Sequence, residues 1–181
     1  MPKYNVFETT SLRAVHYAER IFDAVATEDI ENGTFGYFDG LADGYDHIYN
    51  FKPGTKNGAF VVVANNPAWD EDNCRITNQR RDKYIIPAGT PFRAFVVHLN
   101  DEFATAIEGV TTASKGKMDV DAFVTIDAAT GKLVASDEST GDAIMEGQVM
   151  RKRTSGATIV TAAHTYGYST ELFEVRITAL K

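Results

Sequence analysis

A net charge of −7 over 181 residues, 44% of them hydrophobic and 24% charged, is the composition of one globular domain and not of a disordered segment. Such a chain buries roughly two thirds of its unfolded surface without a disulfide or a metal. Three exclusions follow from the same numbers. No window approaches the roughly 18 consecutive apolar residues of a membrane span. The nine acids set against three bases in residues 1–50 repel phosphate backbones, so nucleic acid is not an expected partner. Cys74 stands alone, which leaves no intramolecular disulfide or thiolate cluster. The start, Met1-Pro2-Lys3-Tyr4, lacks the basic and then apolar stretch of a secretory signal, so the expectation is synthesis and residence in a cytoplasm.

The first 30 residues have no evident place in a β-rich domain and are expected to form an arm or extension, with residues 31–181 as a single β domain. A strand is expected at 3–8. The one helix expected is 12–22, where Ser11 caps the N-terminus and Leu12, Val15, Ala18 and Phe22 share a stripe. Strands follow at 34–38, 47–51, 60–64, 94–97, 103–107, 118–127, 132–135, 144–152, 157–162 and 173–179. Asn32-Gly33, Asp39-Gly40, Asp43-Gly44, Asn57-Gly58 and the loop Asp127-Ala128-Ala129-Thr130-Gly131 supply the positive-φ positions that hairpin turns need. Thr154-Ser155-Gly156 reads as a further tight turn.

Two kinds of strand are distinguishable. In 173–179, Phe173, Val175, Ile177 and Ala179 alternate with Glu174, Arg176 and Thr178; in 118–127, Met118, Val120, Ala122, Val124 and Ile126 share one side. Those strands have a wet face. Phe60-Val61-Val62-Val63-Ala64 and Ala94-Phe95-Val96-Val97 are apolar on both sides, as in strands covered by two layers. The expected fold is therefore all-β, an antiparallel β-barrel or β-sandwich with at most one short helix near the N-terminus and an N-terminal arm.

Residues 65–83 form the longest polar interruption, with the only tryptophan, Trp69, three consecutive acids at Asp70, Glu71 and Asp72, and Arg75, Arg80 and Arg81. A loop of this length in a compact domain is functional or disordered. Trp and Arg anchor protein interfaces through rigid apolar area and bidentate charge-assisted bonds, so Trp69, Arg75, Arg80 and Arg81 are the candidate interface. The alternative is that Trp69 covers the end of a barrel while the arginines pair with the neighbouring acids.

No catalytic, cofactor or metal residue is assigned. The Gly-x-Ser-x-Gly elbow and the phosphate-cradling Gly-x-x-x-x-Gly-Lys loop are both missing, and Ser114-Lys115-Gly116-Lys117 reads as a polar turn. His16, His47, His98 and His164 lack metal-ligand spacing. Asp39, Asp43 and Asp46 fail the EF-hand positions.

Asn32-Gly33-Thr34-Phe35-Gly36-Tyr37, Arg81-Asp82-Lys83-Tyr84-Ile85-Ile86-Pro87-Ala88-Gly89-Thr90 and Gly131-Lys132-Leu133-Val134, in this order, resemble virion structural proteins of tailed bacteriophages. The similarity, over about residues 30–180, is greatest to small capsid decoration, or cement, proteins. It implies a β-rich homo-oligomer on the capsid surface, bound to the major capsid protein or other virion proteins, without enzymatic activity. A head–tail or tail component is an alternative position. A carbohydrate-binding β-sandwich is the alternative class, drawing on Tyr37, Phe38, Tyr45, Tyr49, Phe51, Tyr166 and Tyr168.

Overall fold

The computed structural model describes residues 3–16, 21–56, 61–65, 81–160 and 165–181, with the side chains of 157–160 and 165–168 left aside. Its strands fall into a closed barrel and a six-stranded sheet packed on it. The barrel is built from β2 (Ile21–Val25), β3 (Phe35–Leu41), β4 (Ile48–Pro53), β5 (Val61–Val63) and β6 (Phe92–Val96), hydrogen-bonded in the order β2-β4-β3-β5-β6 and back to β2. The sheet holds β1 (Phe7–Ser11), β7 (Glu102–Ala106), β8 (Phe123–Ile126), β9 (Leu133–Ser136), β10 (Met145–Val160) and β11 (Thr165–Leu180), in the order β1-β7-β11-β10-β8-β9. Strand pairs are antiparallel except β2–β4, which is parallel.

The strands that are apolar on both sides owe that pattern to their place between two cores. Val61 and Val63 turn into the barrel with Ala24, Phe51, Ile86, Phe92 and Ala94. Val62, between them, joins the opposite core with Phe35, Phe95, Phe103, Val175 and Ile177, as do Phe95 and Val97 of the β6 region. Alternation at period two therefore sends one face of each strand into the barrel and the other against the sheet. Because one buried cluster draws on both sheets, barrel and sheet form one packed body. β11 has the half-wet pattern: Phe173, Val175 and Ile177 are buried while Arg176 and Thr178 face outward.

The joint is fixed by close backbone contact. Phe35 N–H donates to Gly131 O at 2.9 Å and Thr55 N–H donates to Ala128 O at 3.4 Å, so the β8–β9 turn docks on the ends of β3 and β4, where Gly54 N–H donates to Phe35 O at 3.0 Å. Asp127 Oδ1 holds that turn by accepting from the N–H groups of Ala129 (3.1 Å) and Thr130 (2.7 Å). Gly131 takes φ of 67°, as the turn chemistry requires.

The first 30 residues supply β1, paired with β7, and β2, paired with β4 and β6. A buried amide just ahead of β1 ties it to the body: Asn5 Nδ2 donates to Asn32 O at 2.8 Å, and Asn5 Oδ1 accepts from Ala106 N–H and Thr105 Oγ1, each at 3.1 Å.

Four local expectations are corrected. Of the helix expected at 12–22, the described residues hold the turn Arg13–His16, α1, with Leu12 buried but Val15 43% exposed; residues 17–20 lie outside the described residues, and Ile21 and Phe22 belong to β2 instead. Closing the barrel takes those residues as strand, and a marginal helix of that length yields to the pairing. The strand expected at 118–127 begins only at Phe123, because Asp121 takes φ of 68° and Asp119 Oδ1 accepts from Val120 N–H at 2.6 Å, bending the chain. The turn expected at Thr154-Ser155-Gly156 is continuous strand: Ser155 pairs with Thr170 and Gly156 with Ser169, Gly156 at φ of 86°. Gly40 likewise sits within β3, at a register shift between Phe38 and Leu41, and not at a hairpin tip.

Candidate interaction site

β10 and β11 are 16 residues each, and their pairing outruns the sheet that holds them. β10 is tied to β8 only through Glu146, Gly147 and Gln148. β11 is tied to β7 only from Leu172 to Arg176. From Thr154↔Glu171 outward to Val160↔Thr165, the two strands pair with each other and with no other described strand. At about 3.3 Å per residue this is a two-stranded ribbon extending roughly 20 Å past its last partner among the described strands.

The root of the ribbon is pinned by charge. Glu8, on β1, accepts from Arg153 Nη2, from Arg81 Nη1 at 2.9 Å and from Ser155 Oγ at 3.0 Å. Arg153 Nε donates to Glu174 Oε1 at 2.6 Å, and Arg151 Nε donates to the other oxygen of Glu174. Burial pushes the Glu8 carboxyl up, but the hydrogen bonds from Arg153 and Ser155 and the charges of Arg153 and Arg81 outweigh it, leaving the group below its ordinary value. The Arg151 hydrogen bond holds Glu174 down, with burial opposing and Arg153 adding to the effect. Two carboxylates and three guanidiniums thus join β1, β10, β11 and the short 3-10 turn Arg81–Lys83.

Beside the root, a cavity of about 800 Å³ lies between the outer side of β1 and the barrel, with Glu8, His16, Ile21, Asn65, Arg81 and Arg93 on its wall. The polar groups there serve the fold: Asn32 Oδ1 accepts from Asn65 N–H at 2.8 Å, Asn65 Nδ2 donates to Tyr84 Oη at 3.2 Å, and His16 Nε2 lies 3.2 Å from Thr10 O. Asn65 opens the segment 65–83 singled out in the sequence, and Arg81 lies near its other end. Of its candidate interface residues, Arg81 is exposed at the cavity wall and bonded to Glu8, while Trp69, Arg75 and Arg80 lie outside the described residues.

The aromatic residues separate into two groups. Phe51 is buried inside the barrel, edge-on to Phe92 at 5.5 Å. Phe22, Phe38 and Tyr49 form a half-buried trio, with centroids 4.9–5.5 Å apart, and Tyr45 is 49% exposed in the β3–β4 loop. Tyr166 and Tyr168 have side chains outside the described set.

Sequence reasoning singled out Arg81 but not its partner Glu8, 73 residues away, nor Arg153, which meets Glu8 across 145 residues. It also missed the ribbon. The signal was present in residues 154–170, the longest stretch without Asp, Glu, Lys or Arg, rich in β-branched and aromatic residues. In comparisons with known proteins, no family model, no curated protein and no solved structure matches the chain.

Proposed function

We propose that this chain is a noncatalytic structural protein of a bacteriophage particle, which decorates or reinforces the capsid by binding the major capsid protein or other virion proteins. The observation that carries the reading is the β10–β11 ribbon, extended beyond the sheet and charge-pinned at its root. A two-stranded hairpin is marginal in water by itself, so one that projects from a packed body is suited to completion by another protein chain. Exposed Arg81 and, with it, Trp69, Arg75 and Arg80 form the contact to the shell. A repeating lattice needs only a weak contact per site, because many copies and neighbouring sites supply avidity.

The test is sedimentation of the purified full-length protein with particles of the phage that encodes it. Saturable pelleting with intact capsids is expected; protein that stays in the supernatant at every concentration overturns the reading. The Phe22–Phe38–Tyr49 trio and exposed Tyr45 favour a second reading, a carbohydrate-binding module, since sugars stack on such rings. Glycan-array binding lost in Tyr45→Ala would select it.

A further inference from the structure

We infer that Asp43-Gly44, at the tip of the β3–β4 hairpin, is a site of spontaneous covalent modification, where the chain closes to a succinimide and reopens as isoaspartate. The inference goes beyond the capsid reading and does not rest on it.

The chemistry sets three conditions. The Gly44 nitrogen must be free to attack the side-chain carboxyl carbon of Asp43, that carboxyl must not be held as an anion by neighbouring cations, and the five-membered ring needs room. The new N–C bond expels one water, made of the amide hydrogen and the carboxyl hydroxyl. A second water then opens the imide at either carbonyl. Opening at the backbone carbonyl leaves the chain running through the side-chain carbon, with the mass of the protein unchanged.

The described residues hold Asn32-Gly33, Asp39-Gly40 and Asp43-Gly44, and the structure separates them. At Asn32-Gly33 both reacting groups are engaged: Asn32 Oδ1 accepts from Asn65 N–H at 2.8 Å, Asn32 Nδ2 donates to Asn65 O at 3.0 Å, and Gly33 N–H donates to Val63 O at 2.7 Å. At Asp39-Gly40, Lys52 Nζ donates to the carboxylate and Lys56 Nζ lies 3.7 Å from it. The Lys52 hydrogen bond and the two ammonium charges hold Asp39 below its ordinary value, and an ionised carboxylate is a poor electrophile. At Asp43-Gly44 none of these restraints exists. Asp43 is exposed and has neither a hydrogen bond nor an ion pair, and Gly44 N–H, outside the strands, donates to no acceptor. A Cβ at Gly44 would meet nothing within 4 Å, so the space around the attacking nitrogen is open.

The product changes the tip and spares the hairpin below it. One extra backbone carbon falls inside the turn closed by Tyr45 N–H on Ala42 O at 3.1 Å, and re-aims Tyr45, which is 49% exposed. Ala42 N–H on Ile48 O at 2.8 Å and Asn50 Nδ2 on Leu41 O at 2.9 Å lie outside that turn and hold the strands together. Exposed loop tips are where a chain tolerates such an insertion.

The test is ageing of the full-length protein near neutral pH, followed by peptide mapping with electron-transfer fragmentation, which tells isoaspartate from aspartate of equal mass. Isoaspartate is expected to accumulate at position 43 and not at 39, and to be lost in Gly44→Ala, whose methyl shields the attacking nitrogen. Asp43→Asn supplies an internal comparison. The amide it introduces is expected to deamidate in the folded chain, while Asn32, also followed by glycine, does so only in denaturant. Both variants should keep the wild-type circular dichroism spectrum; should either fail to fold, the comparison of 43 with 39 in wild type decides. No isoaspartate at 43, equal amounts at 39 and 43, an undiminished amount in folded Gly44→Ala, or deamidation of Asn32 in the folded chain as fast as in denaturant overturns the inference.

Discussion

Replacing Gly131 by alanine tests how tightly the β8–β9 turn is pressed onto the barrel. A Cβ at this position would overlap the Phe35 carbonyl oxygen and lie 3.0 Å from both Gly54 N and Thr34 Cγ2. The obstacle is backbone, so relief requires the turn to lift from β3. Two effects add. Alanine at φ of 67° costs about 1 kcal/mol or more in conformational strain. Lifting the turn weakens the buried Phe35 N–H bond to Gly131 O and its neighbour from Gly54 N–H to Phe35 O, at roughly 1 kcal/mol each. The expected loss is about 3–4 kcal/mol. Gly44→Ala is the control, with φ of 82° but nothing within 4 Å of the added methyl, and should lose only about 1 kcal/mol. Urea unfolding followed by tryptophan fluorescence and circular dichroism, with the m-value unchanged, measures both. In a chain of this size the difference is a Tm gap of roughly 4–12 °C. Equal losses in the two variants would show that the turn is not clamped, and the account of how barrel and sheet are joined would fall with it.

Glu8→Gln leaves Arg153 and Arg81 facing a neutral amide and should cost about 1–2 kcal/mol near neutral pH. The folded-state pKa of Glu8 is depressed, so its stabilisation is present above the ordinary glutamate value of 4.5 and is lost as pH falls through the lower folded value. The wild-type and Glu8→Gln unfolding curves should therefore converge below pH 4.5; a gap that persists in acid would rule out the ionised pair as its source. Phe103→Ala removes a fully buried ring that stacks on Phe7 at 5.3 Å and meets Phe35 at 5.5 Å, with an expected loss of about 3–5 kcal/mol in the same urea assay; under about 1 kcal/mol would refute the shared core. Charge reversal of Arg80 and Arg81 together should lower capsid co-sedimentation at least about tenfold with the fold retained. Unchanged retention would move the shell contact to another face.

The sequence alone determined what depends on neighbours a few residues apart. Period-two alternation marked β11 as half-wet and β5 and β6 as covered on both sides, because side chains of a strand point to opposite faces whatever the strand pairs with. Gly33, Gly40 and Gly44 after Asn or Asp, and Gly131 after the Asp127 loop, were located as positions at positive φ for the same local reason. Arg81 was singled out as a candidate from its type and its loop, and its bond to Glu8 was not legible there. Tertiary structure decided everything that rests on distant partners. Residues 21–25 became strand because β4 and β6 offered hydrogen bonds on both sides, worth more than a short helix could supply. Gly156 became part of one long strand because β11 pairs straight through it, although alone it reads as a turn. The Glu8, Arg81 and Arg153 cluster joins positions 73 and 145 residues apart, and no spacing along the chain encodes such a meeting.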